Sequence, residues 1–225
     1  MKTFLKQCFV AATTVGVILV SSCSQPTKPK ETETAEKPAE PAGPPQLVTA
    51  KTAFWPMYTS ARKWTTDFVT LRVTSKEVPG FKNEGGKAAM WEATFASPSQ
   101  HEYRVYSYSI AAVPPDIYKG VSVGRGMPWS GVTREVMPVQ ISEFSVDSDA
   151  AYETAAADAG AWLKKNQDKP LSSFELGNAY RYEAPVWFLM WGTKKGGYSA
   201  FVNASTGKVL KNVRQAPAPA APPKS

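Results

Sequence analysis

Thr52-Ala-Phe-Trp-Pro-Met-Tyr-Thr-Ser-Ala-Arg-Lys-Trp64 and Ala150-Ala-Tyr-Glu-Thr-Ala-Ala-Ala-Asp-Ala-Gly-Ala-Trp162 decide the fold, because the second stretch follows the pattern of the first 98 residues later. Each comes after a valine and polar residues (Val48, Val146), carries an aromatic residue (Phe54, Tyr152), and aligns Ala61 with Ala159 and Trp64 with Trp162. Met57, Ala61, Trp64 and Phe68 fall at spacings of four, three and four; Ala155, Ala159, Trp162 and Asn166 take the same places. Those spacings put one stripe on a helix face, so each stretch reads as an amphipathic helix. Asp147 and Ser148 are the candidate caps of the second helix, and Pro56 fits the first only in its opening turn.

Each helix is followed by a polar, turn-rich gap and then by strand-like sequence. The first half supplies 89–96, a turn at 97–100 and 102–110; the second supplies 185–191, a turn at 192–197 and 198–203. The turns hold the Gly, Pro and Ser residues that interrupt strands. A helix lying across each hairpin would bury Trp64 and Trp162 against it. The fold class expected is therefore α+β, with two related units, each a helix on a small antiparallel sheet. The competing account is a chance likeness between two amphipathic helices in one irregular domain.

Asn203-Ala-Ser-Thr-Gly207 separates Tyr198–Asn203 from Lys208-Val-Leu210, and Gly207 suits the left-handed position that closes such a turn. With the preceding helix and the Trp187 strand, this ending resembles the PepSY-type module of bacterial envelope proteins over roughly residues 146–211, with a weaker echo over 50–110. The resemblance implies a PepSY/cystatin-like architecture, a role in binding or inhibition, often of peptidases, and no catalytic residues of its own.

Between the halves, Val113 to Pro138 is rich in Gly and Pro. Its glycines match neither a phosphate-binding loop nor a dinucleotide loop, so it reads as a connector. Met127 and Trp129 are its candidate binding patch, since both residue types are favoured at contact sites. Val139–Val146 reads as one more strand.

The chain opens with Lys2 and Lys6, then about thirteen mostly apolar residues from Cys8 to Val20, then Ser21-Ser22-Cys23. That run is too short for a mature span but has the length of a secretory signal. Small residues before a cysteine resemble the lipobox of bacterial lipoproteins, whose signal peptide is cut just before the cysteine that carries the lipid. The resemblance implies cleavage after 22 and attachment of two or three acyl chains, such as palmitate, at Cys23. One acyl chain alone anchors only marginally. Ser24, where an Asp commonly retains such proteins in the inner membrane, implies an outer-membrane protein facing the periplasm if the host has two membranes. Residues 24–46, without aromatic residues and rich in Pro, Glu and Lys, read as a disordered tether, and 215–225 as a disordered Ala/Pro tail. The expected organisation is thus signal peptide 1–22, anchor and tether 23–46, first unit 47–144 with its connector, second unit 145–214, and tail 215–225.

The body is poor material for several chemistries. All seven tryptophans and a modest excess of cations lie in 47–214, but the cations form only scattered pairs, which argues against a nucleic-acid partner. The single histidine, His101, sits in a hairpin turn without a nucleophile-elbow motif, and mature Cys23 is the only thiol left after processing. Zinc ligands are lacking, and Asp147 and Asp149 favour a helix start more than a calcium loop. Glu92 with Glu175 or Glu183 is the remaining acid pair for glycan cleavage. The expectation is a non-enzymatic envelope lipoprotein without cofactor or metal, held to the membrane through Cys23 and offering a surface to an envelope protein or cell-wall polymer. A periplasmic peptidase inhibitor or regulatory sensor is the alternative, and a glycan-binding or glycan-cleaving protein a more distant one.

Overall fold

Burial of one helix face organises the first half. In the computed structural model, which describes residues 46–210, helix α1 (Ala50–Ala61) sinks Ala50, Ala53, Phe54, Met57 and Ala61 into the core. Chain order continues with β1 (Val69–Lys76), β2 (Met90–Ser97), β3 (Glu102–Ser109), β4 (Gly120–Val123), β5 (Met127–Pro128), α2 (Ser148–Asp158), α3 (Gly160–Lys165), β6 (Leu171–Gly177), β7 (Val186–Trp191) and β8 (Tyr198–Asn203). All eight strands form one antiparallel sheet in the order β4-β3-β2-β1-β6-β7-β8, with β5 also pairing with β3. The sheet has two parts, β1–β2–β3 and β6–β7–β8, joined where Val73 lies opposite Leu176. The two halves share one sheet.

The joining strands are those that sequence reading assigned to polar gaps. β1 and β6 each carry a register shift near their start, between Thr70 and Arg72 and between Leu171 and Ser173. A bulge of this kind breaks the two-residue alternation that marks a strand.

Trp91 and Trp187 occupy matching places on β2 and β7, and neither exposes any surface. Trp91 Nε1 donates to the Val48 carbonyl at 2.9 Å, and Trp187 Nε1 donates to the Val146 carbonyl at 3.0 Å. Each indole thus ties its sheet to the residue just before the N-cap of its own helix. The rings stand 6.3 Å apart and share Phe174, while Phe144 packs edge-on against both Trp187 and Phe54. Trp64 and Trp162, expected in this core, lie just beyond α1 and within α3 and are only half-buried. Both pack against the margin of this core; helix α1 ends at Ala61, so Trp64 is not carried fully inside.

The helix N-termini meet. Asp147 caps α2, and its Oδ1 accepts both Ser148 N–H at 2.7 Å and Lys51 N–H of α1 at 3.0 Å, while Ser148 Oγ accepts Ala50 N–H at 2.8 Å. One carboxylate therefore satisfies orphan donors and faces the positive ends of two helices. Asp147→Ala is expected to cost about 2 kcal/mol, the upper end for a single cap, and Asp147→Asn, which keeps an acceptor, clearly less. Urea titration of the variants checks this.

Four further expectations are corrected. Pro56 lies inside α1, past its first turn; Pro56 and Thr52 are both exposed, so water can satisfy the carbonyl whose partner is missing. The second helix breaks at Ala159 into α2 and α3. Val139–Val146 is not a strand: Val139 alone bridges to Thr70, Ile141–Glu143 forms a 3-10 turn, and Phe144 is drawn into the core. The connector supplies β4 and β5. Gly207 does take a positive φ of 72°, and the segment after it returns to the sheet through a single bridge, Val209 to Val202.

Candidate functional site

β4 lies at one outer edge of the sheet, and at the other end β8 is followed by the returning Val209 segment. Along β4, Gly120 pairs with Ser109, Val121 with Tyr108, Ser122 with Ser107 and Val123 with Tyr106. Gly124 N–H donates to Val105 O at 2.8 Å, which fixes the alternation: the amides of Ser122 and Gly124 point to β3, and those of Val121 and Val123 point away. Met127 then pairs with Tyr103 and Pro128 with Glu102, and Trp129 N–H donates to His101 O at 2.8 Å. One extra residue is accommodated around Arg125 and Gly126 as the segment passes from β4 to β5, and the Glu102 carboxylate occupies the space that a Cβ on Gly126 would fill.

Among the described residues, the large apolar side chains that stand exposed are Trp55, Tyr118, Val121, Val123, Met127, Val132 and Tyr180. Five of these lie between 118 and 132, with Val121 and Val123 on β4 and Met127 on β5; Val121 and Val123 are 37% and 47% exposed. Cross-strand pairing places Val121 and Val123 on the same face as Tyr108, Tyr106 and Trp91, so they continue the core surface outward to the sheet edge. Met127 is on this edge and exposed, while Trp129 is half-buried with its backbone tied to His101. Sequence reading named these two residues but missed Val121 and Val123. The signal was the alternation Gly-Val-Ser-Val-Gly at 120–124.

The neighbouring hairpin tip is braced. Asp67 accepts from Thr65 Oγ1 at 2.5 Å, Ser97 Oγ at 2.7 Å and Ser99 N–H at 2.8 Å, and these bonds hold its carboxyl well below the usual carboxylate range. Arg104 pairs with Glu102 at 2.7 Å and lies over the Trp64 ring at 4.6 Å, while Trp64 Nε1 donates to Gln100 Oε1 at 2.8 Å. Asp67 stabilises the fold in full above an unfolded carboxylate pKa of about 3.9, and that contribution is lost as pH falls through the lower folded value. Asp67→Asn should therefore lower the melting temperature at pH 6, with the gap to the parent narrowing steadily below about pH 4. Thermal unfolding followed across pH 2 to 7 would reveal it.

The acid candidates lie on the face opposite the helices. Thr74 is flanked by Glu92 on β2 and Glu175 on β6, with Lys76 at 2.9 Å from Glu92 and Arg72 at 3.8 Å from Glu175. The two glutamates are thus two strand spacings apart, roughly 9–10 Å, each beside a cation. Glu183 is exposed in the turn before β7, and His101 is exposed with a φ of 51°. A cavity of about 230 Å³ on this face is lined by Arg72, Glu135, Glu175, Tyr182, Phe188 and Phe201, and burial pushes the Tyr182 hydroxyl pKa up. An open groove of about 1330 Å³ runs between 74–87 and 166–174. Among the described residues, no three His, Cys, Asp or Glu side chains gather where they could hold a metal ion. No helix there is long and apolar enough to cross a membrane. Cys23, the tether and the residues after 210 lie outside the described residues.

No family model and no curated protein matches the chain. The fold is similar to a solved structure described as a putative lipoprotein from Clostridium difficile 630, at 11% sequence identity and a TM-score of 0.47, covering 74% of this chain and 93% of that one.

Proposed function

We infer that this chain is a non-enzymatic envelope lipoprotein, attached through Cys23, whose body binds an envelope partner along the β4–β5 edge. The observation that carries the binding half is the gathering of exposed Val121, Val123 and Met127, with Tyr118 just before them, at a strand edge whose outward amides have no neighbouring strand among the described residues. Apolar surface gathered in this way marks interaction sites, and exposed edges are usually blunted by charge, proline or cover. The attachment half rests on the signal-like segment ending at Cys23. The PepSY-type reading is supported by the helix across each half-sheet and by the Thr206-Gly207 turn. Glu92 and Glu175, each beside a cation on an open sheet face, favour binding over glycan cleavage.

Two measurements in the native host test the reading. Metabolic acyl labelling should mark the parent chain and be lost in Cys23→Ala, with release of the protein from membranes; labelling that survives would refute the attachment. A photo-crosslinking residue at Val121 should form adducts in intact cells while one at exposed Glu153 on α2 should not; equal adducts at both would refute the edge as the binding surface.

A further inference from the structure

We propose that the β4 edge takes its partner as an added strand: an extended peptide with acidic residues at both ends of a short apolar core. The proposal rests on the reading of this edge as the binding surface and specifies the chemistry of what binds there. Val121 and Val123 offer their N–H and C=O groups outward, the arrangement that lets a peptide continue the ladder. Their side chains supply an apolar strip at alternate positions.

Charge selects the partner. Lys119 and Arg125 flank β4, both are exposed, and neither makes an ion pair among the described residues. From Ile117 to Arg134 the sequence holds Lys119, Arg125 and Arg134 and no Asp or Glu, and the Glu102 carboxylate packed against Gly126 is paired with Arg104. Lys119 precedes the left-handed Gly120, at φ 88°, and Arg125 follows the end of β4, so a strand seated on Val121 and Val123 has a cation beyond each end. The complement is acid, any residue, apolar, any residue, apolar, any residue, acid.

The same charges disfavour a second copy of this chain. Two β4 strands paired antiparallel around Ser122 would bring the Lys119 end of one against the Arg125 end of the other. Like charges directly opposite destabilise a ladder. The edge thus rejects itself while attracting an acidic strand.

The test uses the full mature chain in detergent and a fluorescent peptide, Glu-Thr-Val-Thr-Val-Thr-Glu, with Lys-Thr-Val-Thr-Val-Thr-Lys as its counterpart. Anisotropy titration at low salt should show the acidic peptide binding about tenfold more tightly. The double variant Lys119→Glu/Arg125→Glu, altered only at exposed side chains, should reverse that preference. Val123→Pro removes an outward amide and leaves the Ser122 and Gly124 bonds to β3 in place, so it should weaken binding about tenfold. Equal binding of the two peptides, or a preference unchanged by the double variant, would overturn the proposal. So would a dimer of the parent that Val123→Pro dissolves, because a second copy would then be the occupant. If these fail while crosslinks at Val121 persist, strand addition is wrong and the edge still binds; if both fail, the edge is not the surface.

Discussion

Trp187→Ala is expected to destabilise the body by about 3–5 kcal/mol, and Trp91→Ala by a similar amount. Both indoles are fully buried, both pack on Phe174, and each spans from a sheet strand to the residue preceding a helix N-cap. For a body of this size the loss is roughly 6–20 °C in melting temperature. Phenylalanine at either site separates packing from hydrogen bonding, since it keeps a ring and removes the donor. Trp91→Phe should be the milder variant. Val48 O, which loses the Trp91 donor, keeps Ala88 N–H at 3.0 Å, whereas no comparable backbone donor stands on Val146 O among the described residues. A buried carbonyl left unpaired costs about 1–3 kcal/mol. Because the two rings touch, the double variant should be less destabilised than the two single losses combined. Chemical unfolding with tryptophan fluorescence and circular dichroism measures each of these; equal costs for the two phenylalanine variants would contradict the hydrogen-bond account.

Gly86→Ala is the second large effect. Gly86 is buried at φ 75°, and a Cβ there would overlap the Ser148 carbonyl and Asp149 Cα. Those atoms are backbone at the start of α2, which Asp147 and Ser148 lock to α1, so they have little room to yield. The expected cost is about 3 kcal/mol or more, from the strained dihedral together with the displaced helix start. Gly85 is the control: its φ is also positive, at 56°, but nothing lies within 4 Å of its Cβ position. Gly85→Ala should cost only the backbone term, about 1 kcal/mol. Denaturation of the pair checks the packing directly, and similar losses would show that the dihedral alone matters.

Much of the two-part α+β layout was legible in the sequence where local pattern and tertiary role agree. The hairpin β2–β3, the strands β7 and β8, the Asp147 cap and the left-handed Gly207 all follow from aromatic runs, turn residues and capping chemistry. The seam was not legible. β1 and β6 do alternate, as Val69-Thr-Leu-Arg-Val-Thr and Phe174-Glu-Leu, but each carries a starting bulge and polar residues such as Arg72, Thr74 and Glu175 on the open face, so neither has the aromatic run that marks β2, β3 and β7, and nothing local shows that they pair with each other. The core tryptophans were also misjudged, because helix spacing points to Trp64 and Trp162 while α1 ends before the first and α3 leaves the second half-covered. At the β4–β5 edge, Met127 and Trp129 stood out by residue type. Val121 and Val123 acquire significance only from lying at the edge of a sheet whose order depends on distant pairings.

Hydrogen exchange by mass spectrometry on the full chain, free in detergent and then in its native envelope, tests the central claim most directly. In the free protein, the Val121 and Val123 amides should exchange far faster than those of Ser122 and Gly124, which bond to β3. In the envelope, residues 118–128 should gain protection while 198–203 on the opposite side of the sheet stay unchanged. Unchanged exchange at 118–128, or protection gained only elsewhere on the body, would contradict the assignment of this edge as the surface the protein presents.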